Sequence, residues 1–245
     1  MYFLFSGEGP TDLGVGTSAA LICEGPEYLP GPMTIMADQV VQAKRGYSPL
    51  EKGCCRYVSE QRLNQRAGEL KAKKALKLPG KKRERETRYF FNNARILARI
   101  AIDKAAELDD EVVAVLFRDA DGTASAGRGF WEEKRQSMLD GFSEEKFTLG
   151  VPMIPKPKSE AWLICALKRN PYKGCEALEK RSGNDKSPNS LKNELARLLD
   201  DAPSRESLRQ LVQDKIVDIY RIKMPSFKAF RDRLEEVVDQ RKAVP

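Results

Sequence analysis

Val112-Val-Ala-Val-Leu-Phe117-Arg118-Asp119-Ala-Asp121-Gly122 is the stretch on which the reading of this chain turns. Six consecutive apolar residues, half of them β-branched, ask for a strand buried on both faces, as in a parallel sheet. The run stops on an arginine, then on two aspartates two apart, then on a glycine. Just upstream, Arg88 to Leu108 sets Phe91, Ala94, Leu97, Ala101, Ala105 and Leu108 at spacings that make one face of an α-helix, so a crossover helix feeds the strand. At the start of the chain, Tyr2 to Phe5 is a second short apolar run, ending in Ser-Gly-Glu8-Gly-Pro-Thr-Asp12 as a strand entering a Gly/Pro turn. Downstream, Phe147 to Ile154 predicts a further strand, halted by Pro155 and Pro157, after which Ser159 is placed to N-cap a helix through Glu160, Trp162, Leu163 and Leu167. Strands alternating with helices predict an α/β fold with a mainly parallel sheet flanked by helices.

Composition narrows the chemistry. The 245 residues include no histidine, which removes His-based triads, His-ligated metal sites and histidine phosphotransfer. A net charge of +7 favours polyanionic partners, and 41% hydrophobic content suffices for a core. Five cysteines (Cys23, Cys54, Cys55, Cys165 and Cys175), odd in number and without CxxC spacing, are expected in a reducing, cytoplasmic compartment. The neighbours Cys54 and Cys55, with no histidine and no second pair, do not make a zinc site. The Val112 run is far short of the roughly 20 apolar residues that span a bilayer, so no membrane partner is expected. The opening MYFLFSGEGPTD lacks both a basic n-region and a long h-region, and is expected to begin the fold.

Charge and turn residues suggest the organisation. Glu24 to Pro32 is rich in Gly and Pro and poor in apolar residues, and marks an excursion from a compact βα unit. Residues 41–90 carry fifteen Lys and Arg against five acids, a larger excess than that of the whole chain. A basic insertion over about 24–90 within a domain spanning 1–165 accounts for both features. The remainder, 166–245, reads as a helical C-terminal region: Ser190 to Leu199, Ser204 to Ile222 and Ser226 to Lys242 are each amphipathic. In the middle helix, Leu208, Leu211, Val212, Ile216 and Ile219 would share a face.

Two acidic clusters, Glu8 with Asp12 and Asp119 with Asp121, follow predicted parallel strands, and sites in open α/β sheets form at the carboxyl ends of strands. Two carboxylates about 6 Å apart repel by roughly 3 kcal/mol at an effective dielectric near 20, and a hard divalent cation turns that repulsion into attraction. The plain alternative is an Asp-Ala-Asp-Gly turn, with Gly122 supplying a positive φ.

Taken together, Phe5-Ser-Gly-Glu8-Gly-Pro-Thr-Asp12 and Phe117-Arg-Asp119-Ala-Asp121-Gly122 resemble the Toprim domain, the metal-binding fold of topoisomerases, DnaG-type primases and OLD-family nucleases. The resemblance covers roughly residues 1–165. It implies a sheet with Glu8, Asp119 and Asp121 at one edge, chelating Mg²⁺ or Mn²⁺. The second acid, Asp12, four residues after Glu8, is similar to the OLD-like nuclease branch and would be an additional ligand. Val151-Pro-Met-Ile-Pro-Lys156-Pro-Lys158-Ser-Glu160-Ala-Trp162 resembles the terminal strand of stand-alone Toprim proteins of bacterial defence loci, including the nuclease partner of PARIS-type anti-phage ATPases. By that resemblance Glu160 joins the metal shell, and Lys158, in preference to Lys156, offsets phosphate charge in the transition state.

The activity implied is metal-dependent phosphodiester hydrolysis of DNA or RNA in anti-phage defence. The chain has no Walker motif, so control by nucleotide would come from a separate ABC-type ATPase; self-assembly into a homo-oligomer stays open. Two rivals are a non-catalytic nucleic-acid-binding or ATPase-partner subunit and a primase-like Toprim enzyme. Arg118 either pairs with one of the acids or contacts phosphate. Lys71, Lys73, Lys74, Lys77, Lys81, Lys82 and Arg83 would neutralise backbone phosphates without reading sequence, or else form a solvated helix face. Tyr47, Tyr57, Tyr89, Phe90 and Phe91 could stack on unpaired bases or serve the core, and Trp131 and Trp162 read as core anchors.

Overall fold

In the computed structural model, the Val112 run is a strand, Val112–Phe117, with every side chain buried. The structure describes residues 1–17, 22–24, 27–73, 85–120, 131–200 and 202–239. Its strands, in chain order, are β1 (Tyr2–Gly7), β2 (Gly14–Gly16), β3 (Ile22–Glu24), β4 (Tyr28–Pro30), β5 (Cys55–Val58), β6 (Val112–Phe117) and β7 (Gly150–Met153). Its helices are α1 (Pro32–Arg45), α2 (Glu60–Lys73), α3 (Arg85–Leu108), α4 (Trp131–Glu144), α5 (Ser159–Leu167), α6 (Leu191–Leu199), α7 (Arg205–Gln213) and α8 (Pro225–Asp239).

Five strands form one sheet in the order β3-β5-β1-β6-β7. β1 is flanked in parallel by β5 and β6, β7 extends the parallel array beyond β6, and β3 closes the other edge antiparallel to β5. β2 and β4 make a separate two-stranded ribbon. The register pairs Gly7 with Phe117, so the first and sixth strands end level. A Cβ on Gly7 would stand 2.2 Å from the Phe117 carbonyl oxygen, so only glycine lets the two strand ends lie so close.

Alternation divides the sheet's side chains between two cores. Phe3, Phe5, Val113, Val115, Phe117, Val151 and Met153 share one with α1, α5 and α8, while Leu4, Val112, Ala114 and Leu116 share the other with α3 and α4. The result is an α/β fold with a mainly parallel sheet between two helical layers. Among the described residues, no helix is long and apolar enough to cross a membrane.

Several elements differ from expectation. The stretch 24–90 supplies α1 and β5, a helical layer and an internal strand of the sheet, so much of it is integral to the βα frame. α1 begins with Pro32 at its first position and ends at Gly46 in the left-handed region, an ordinary start and stop for a helix. The C-terminal helices also belong to the frame: Phe227, Phe230 and Leu234 of α8 are buried in the same core as α1 and the sheet. The helix expected from Ser204 to Ile222 is broken after Gln213, where Lys215 takes a φ of 58°. Ile216 therefore lies 53% exposed, while Val217, Ile219 and Ile222 reach the core from turns. The expectation of reduced cysteines is corrected for one pair. Cys165 and Cys175 form a disulfide, brought together by the turn after α5, and Cys23, Cys54 and Cys55 stand outside it.

Candidate metal centre

Three chain segments leave the sheet at the carboxyl ends of β1, β6 and β7 and are tied to one another before they diverge. After β1, Glu8 leads into a tight turn in which the Asp12 and Leu13 N–H groups both donate to the Gly9 carbonyl at 3.1 Å. Gly9 has a φ of 84°, and a Cβ there would stand 2.6 Å from an Asp12 carboxylate oxygen. The turn is fixed from below by the Tyr28 and Thr34 hydroxyls, which donate to the Leu13 carbonyl at 2.6 and 2.8 Å. After β6, the Arg118 N–H donates to the Met153 carbonyl at 3.1 Å and the Ala120 N–H to the Pro155 carbonyl at 3.0 Å, so this segment runs beside the one leaving β7.

Ser159 joins the clusters. Its N–H donates to Asp119 Oδ1 at 3.0 Å and its hydroxyl to Asp12 Oδ1 at 2.5 Å. The sequence suggested that Ser159 caps α5. In the structure it is the first residue of that helix, Lys158 holds the cap position without capping the helix through its side chain, and the serine hydroxyl is spent on Asp12. Both aspartates thus lie at a helix N-terminus, where the peptide dipoles favour negative charge. Glu8 completes the link, with its Oε1 accepting from the Asp119 N–H at 3.3 Å across 111 residues of sequence.

The electrostatics of this edge are uneven. Burial pushes the Asp12 carboxyl up to about 6, aided by the nearby charges of Glu160 and Glu8 and opposed by the Ser159 hydrogen bond and Lys158. Burial also raises Glu160, against its own backbone hydrogen bond and the charges of Lys158 and Lys192. Glu160 Oε2 is buried with no hydrogen-bond partner among the described residues. Glu8, by contrast, is half-exposed and already has a cation: Arg118 Nη2 lies 3.0 Å from its Oε2. Arg118 also reaches Glu60 at 3.4 Å and stacks 3.9 Å over the Tyr89 ring, whose hydroxyl donates to Glu60 at 2.9 Å. Of the two readings of Arg118, pairing with an acid is the arrangement found.

Glu8, Asp12, Asp119, Lys158 and Glu160 therefore all stand at this edge, with Lys158 paired to Asp185 at 2.8 Å. Asp121 and Gly122 lie outside the described residues, as do Lys74, Lys77, Lys81, Lys82 and Arg83. Lys71 and Lys73 fall in the last turn of α2. Trp162 is fully buried, its Nε1 donating to the Ser226 hydroxyl, and half-buried Trp131 donates to the Ile154 carbonyl. Phe90 is buried against α4, and Tyr28 and Tyr57 stack on each other, so these rings serve the core. Sequence reasoning passed over Ser159 as a link, Glu60 as the second partner of Arg118, and Asp185. Each is an ordinary polar residue until the fold places it.

As the side chains lie, no group of three or more Cys, Asp or Glu among the described residues is close enough to hold a metal ion. The donor set nevertheless fits a hard cation. All the groups are carboxylate oxygens, two of them disfavoured as bare anions by burial, and one buried oxygen has no hydrogen-bond partner among the described residues. No protein-family model, curated protein or solved structure matches the chain.

Proposed function

We propose that the chain is a metal-dependent nuclease with a Toprim-like active edge, hydrolysing phosphodiester bonds of DNA or RNA. One observation carries the reading: acids from three separate strand ends, Glu8 and Asp12, Asp119, and Glu160, stand where the parallel strands end, with Asp12 and Asp119 joined through Ser159, Glu8 tied to the Asp119 N–H, and Glu160 near enough to Asp12 for its charge to be felt there. Such a gathering of buried negative charge is costly unless a cation answers it.

Glu8, Asp12, Asp119 and Glu160 would hold Mg²⁺ or Mn²⁺, with Asp121 joining them by the resemblance. Bound there, a divalent ion activates water at neutral pH and draws charge from a phosphoryl oxygen. The chain's own part is to position and to balance charge. Ser159 fixes Asp12 and Asp119 relative to each other through two donors of one residue. The Glu8 carboxylate is oriented by the Asp119 N–H. Lys158, whose charge is felt by both Asp12 and Glu160, offers an ammonium to a non-bridging phosphate oxygen once Asp185 releases it. Lacking histidine, the chain would leave proton transfer to water and carboxylates.

A non-catalytic binding subunit is the second reading, and Arg118 favours it by occupying one oxygen of Glu8 as a built-in counter-ion. One experiment separates the two. Purified protein is incubated with Mg²⁺ or Mn²⁺ and duplex DNA, single-stranded DNA and tRNA, alone and with any ATPase encoded beside it, in parallel with Asp119→Asn and Glu160→Gln. Cleavage by the wild type alone supports the nuclease. Binding without cleavage in all three proteins supports the subunit.

A further inference from the structure

The first turn of α4 sends two long side chains, three residues apart and so on one face, down to the two segments that leave the sheet. Trp131 Nε1 donates to the Ile154 carbonyl at 2.8 Å, and Lys134 Nζ donates to the Ala120 carbonyl at 2.7 Å. Lys134 is 1% exposed, and its ammonium lies 5.6 Å from the centre of the Phe90 ring. Burying an ammonium is costly, and a carbonyl needs only a neutral donor or a water. Trp131 shows that stapling α4 to a strand end can be done without charge.

Ala120 lies immediately after Asp119 and is clamped on both sides, its N–H on the Pro155 carbonyl and its C=O on Lys134. Asp119 itself is held by Ser159 and by Glu8. The backbone that presents Asp119 is therefore held in part by an ammonium reaching from α4 to the next residue's carbonyl.

We propose that Lys134 is a positioning residue of the phosphodiesterase site, holding the Asp119-Ala120 backbone so that Asp119 keeps its place beside Glu8 and Ser159. The assignment rests on the nuclease reading, deepens it, and gives α4 a part in the site. Lys134 does not touch substrate; it acts through the backbone carbonyl.

The test compares wild type with Lys134→Met and Lys134→Arg in three measurements: Mn²⁺ binding by calorimetry, thermal unfolding in metal-free buffer, and steady-state cleavage. Lys134→Met, folded, should bind Mn²⁺ about tenfold more weakly and lose at least about tenfold in kcat, with KM for the nucleic acid within about twofold. Lys134→Arg, which keeps charge and reach, should recover part of both losses. A folded Lys134→Met with unchanged Mn²⁺ affinity and kcat overturns the assignment, and so does one that cannot fold, since Lys134 would then be holding the fold rather than the site. Wild type that neither binds Mn²⁺ nor cleaves brings down the nuclease reading and this assignment with it. An active wild type with an indifferent Lys134→Met brings down this assignment alone.

Discussion

The two corners of the carboxylate edge hold their acids by opposite means. At the Asp12–Glu160 corner both acids are raised by burial, Asp12 is held by the neutral hydroxyl of Ser159, and Lys158 is the nearby cation. At the Glu8 corner the acid is half-exposed and neutralised by Arg118, itself shared with Glu60 and Tyr89. One corner is short of positive charge and the other already has it. The edge is thus polarised, and a cation entering it gains most from the Asp12–Glu160 side, while Glu8 must exchange partners to join.

That contrast orders the expected effects. The largest is on chemistry: Asp119→Asn, which touches both corners, should lower cleavage by more than about 100-fold with the fold retained, as seen by initial rates beside far-UV circular dichroism. Next is Ser159→Ala, which frees Asp12 without removing any acid; Mn²⁺ affinity by calorimetry should fall by about 10–100-fold, as for other groups that orient ligands. Third, the corners should answer charge removal with opposite signs in metal-free buffer. Asp12→Asn keeps an acceptor for Ser159 and sheds a desolvated charge, so stability should rise by about 1–2 kcal/mol, whereas Glu8→Gln gives up a partly exposed ion pair and should lose about 1 kcal/mol or less. Thermal melts should separate the two variants by several degrees, and the Glu8→Gln loss should shrink at high salt.

Asp38 in α1 is the control away from the edge, and its effect is the smallest. Burial raises its carboxyl despite bonds from the Leu50 N–H and the Ser48 hydroxyl. The folded state therefore binds this proton more tightly than the unfolded state does. Its contribution to stability falls as pH rises from the ordinary aspartate value to the raised folded one, and is constant above. Asp38→Asn should lose that slope, read as the difference between the two proteins' melting temperatures from pH 3.5 upward. An equal slope in both would show that this burial exerts no electrostatic cost.

What the sequence made legible follows from how local each signal is. β6 and α3 stand out because a continuous apolar run and a helical stripe are complete within their own segments, and α3 differs from expectation only by starting at Arg85. β5 was passed over because Cys55-Arg-Tyr-Val58 is short and half polar, and it becomes an internal strand only through its partners β1 and β3. α1 carried a readable stripe in Met33, Met36, Val40 and Val41, masked by the Gly and Pro residues just before it. At the site, the acids announced themselves at strand ends; the Asp119 N–H bonds Glu8, while the expected convergence of Glu8, Asp119 and Asp121 on one metal turns on Asp121, outside the described residues. Ser159 and Lys134 did not, because a serine before a helix reads as a cap and a lysine on a helix reads as solvent-facing. Only the third dimension reassigns them.

The position of β1 at the middle of the sheet has a consequence for how the chain is made. Its neighbours are β5 and β6, and the second of these is complete only at Phe117. At a synthesis rate of about 5–20 residues per second, roughly 6–20 s separate the emergence of the first strand from that of its last partner. Throughout that interval Tyr2 to Phe5 is an apolar segment with at least one backbone edge unpaired, and pairing over so long a loop is intrinsically slow. Nascent chains that end before about residue 120 are where chaperone binding should concentrate, and a ribosome stalled there should hold this strand exposed.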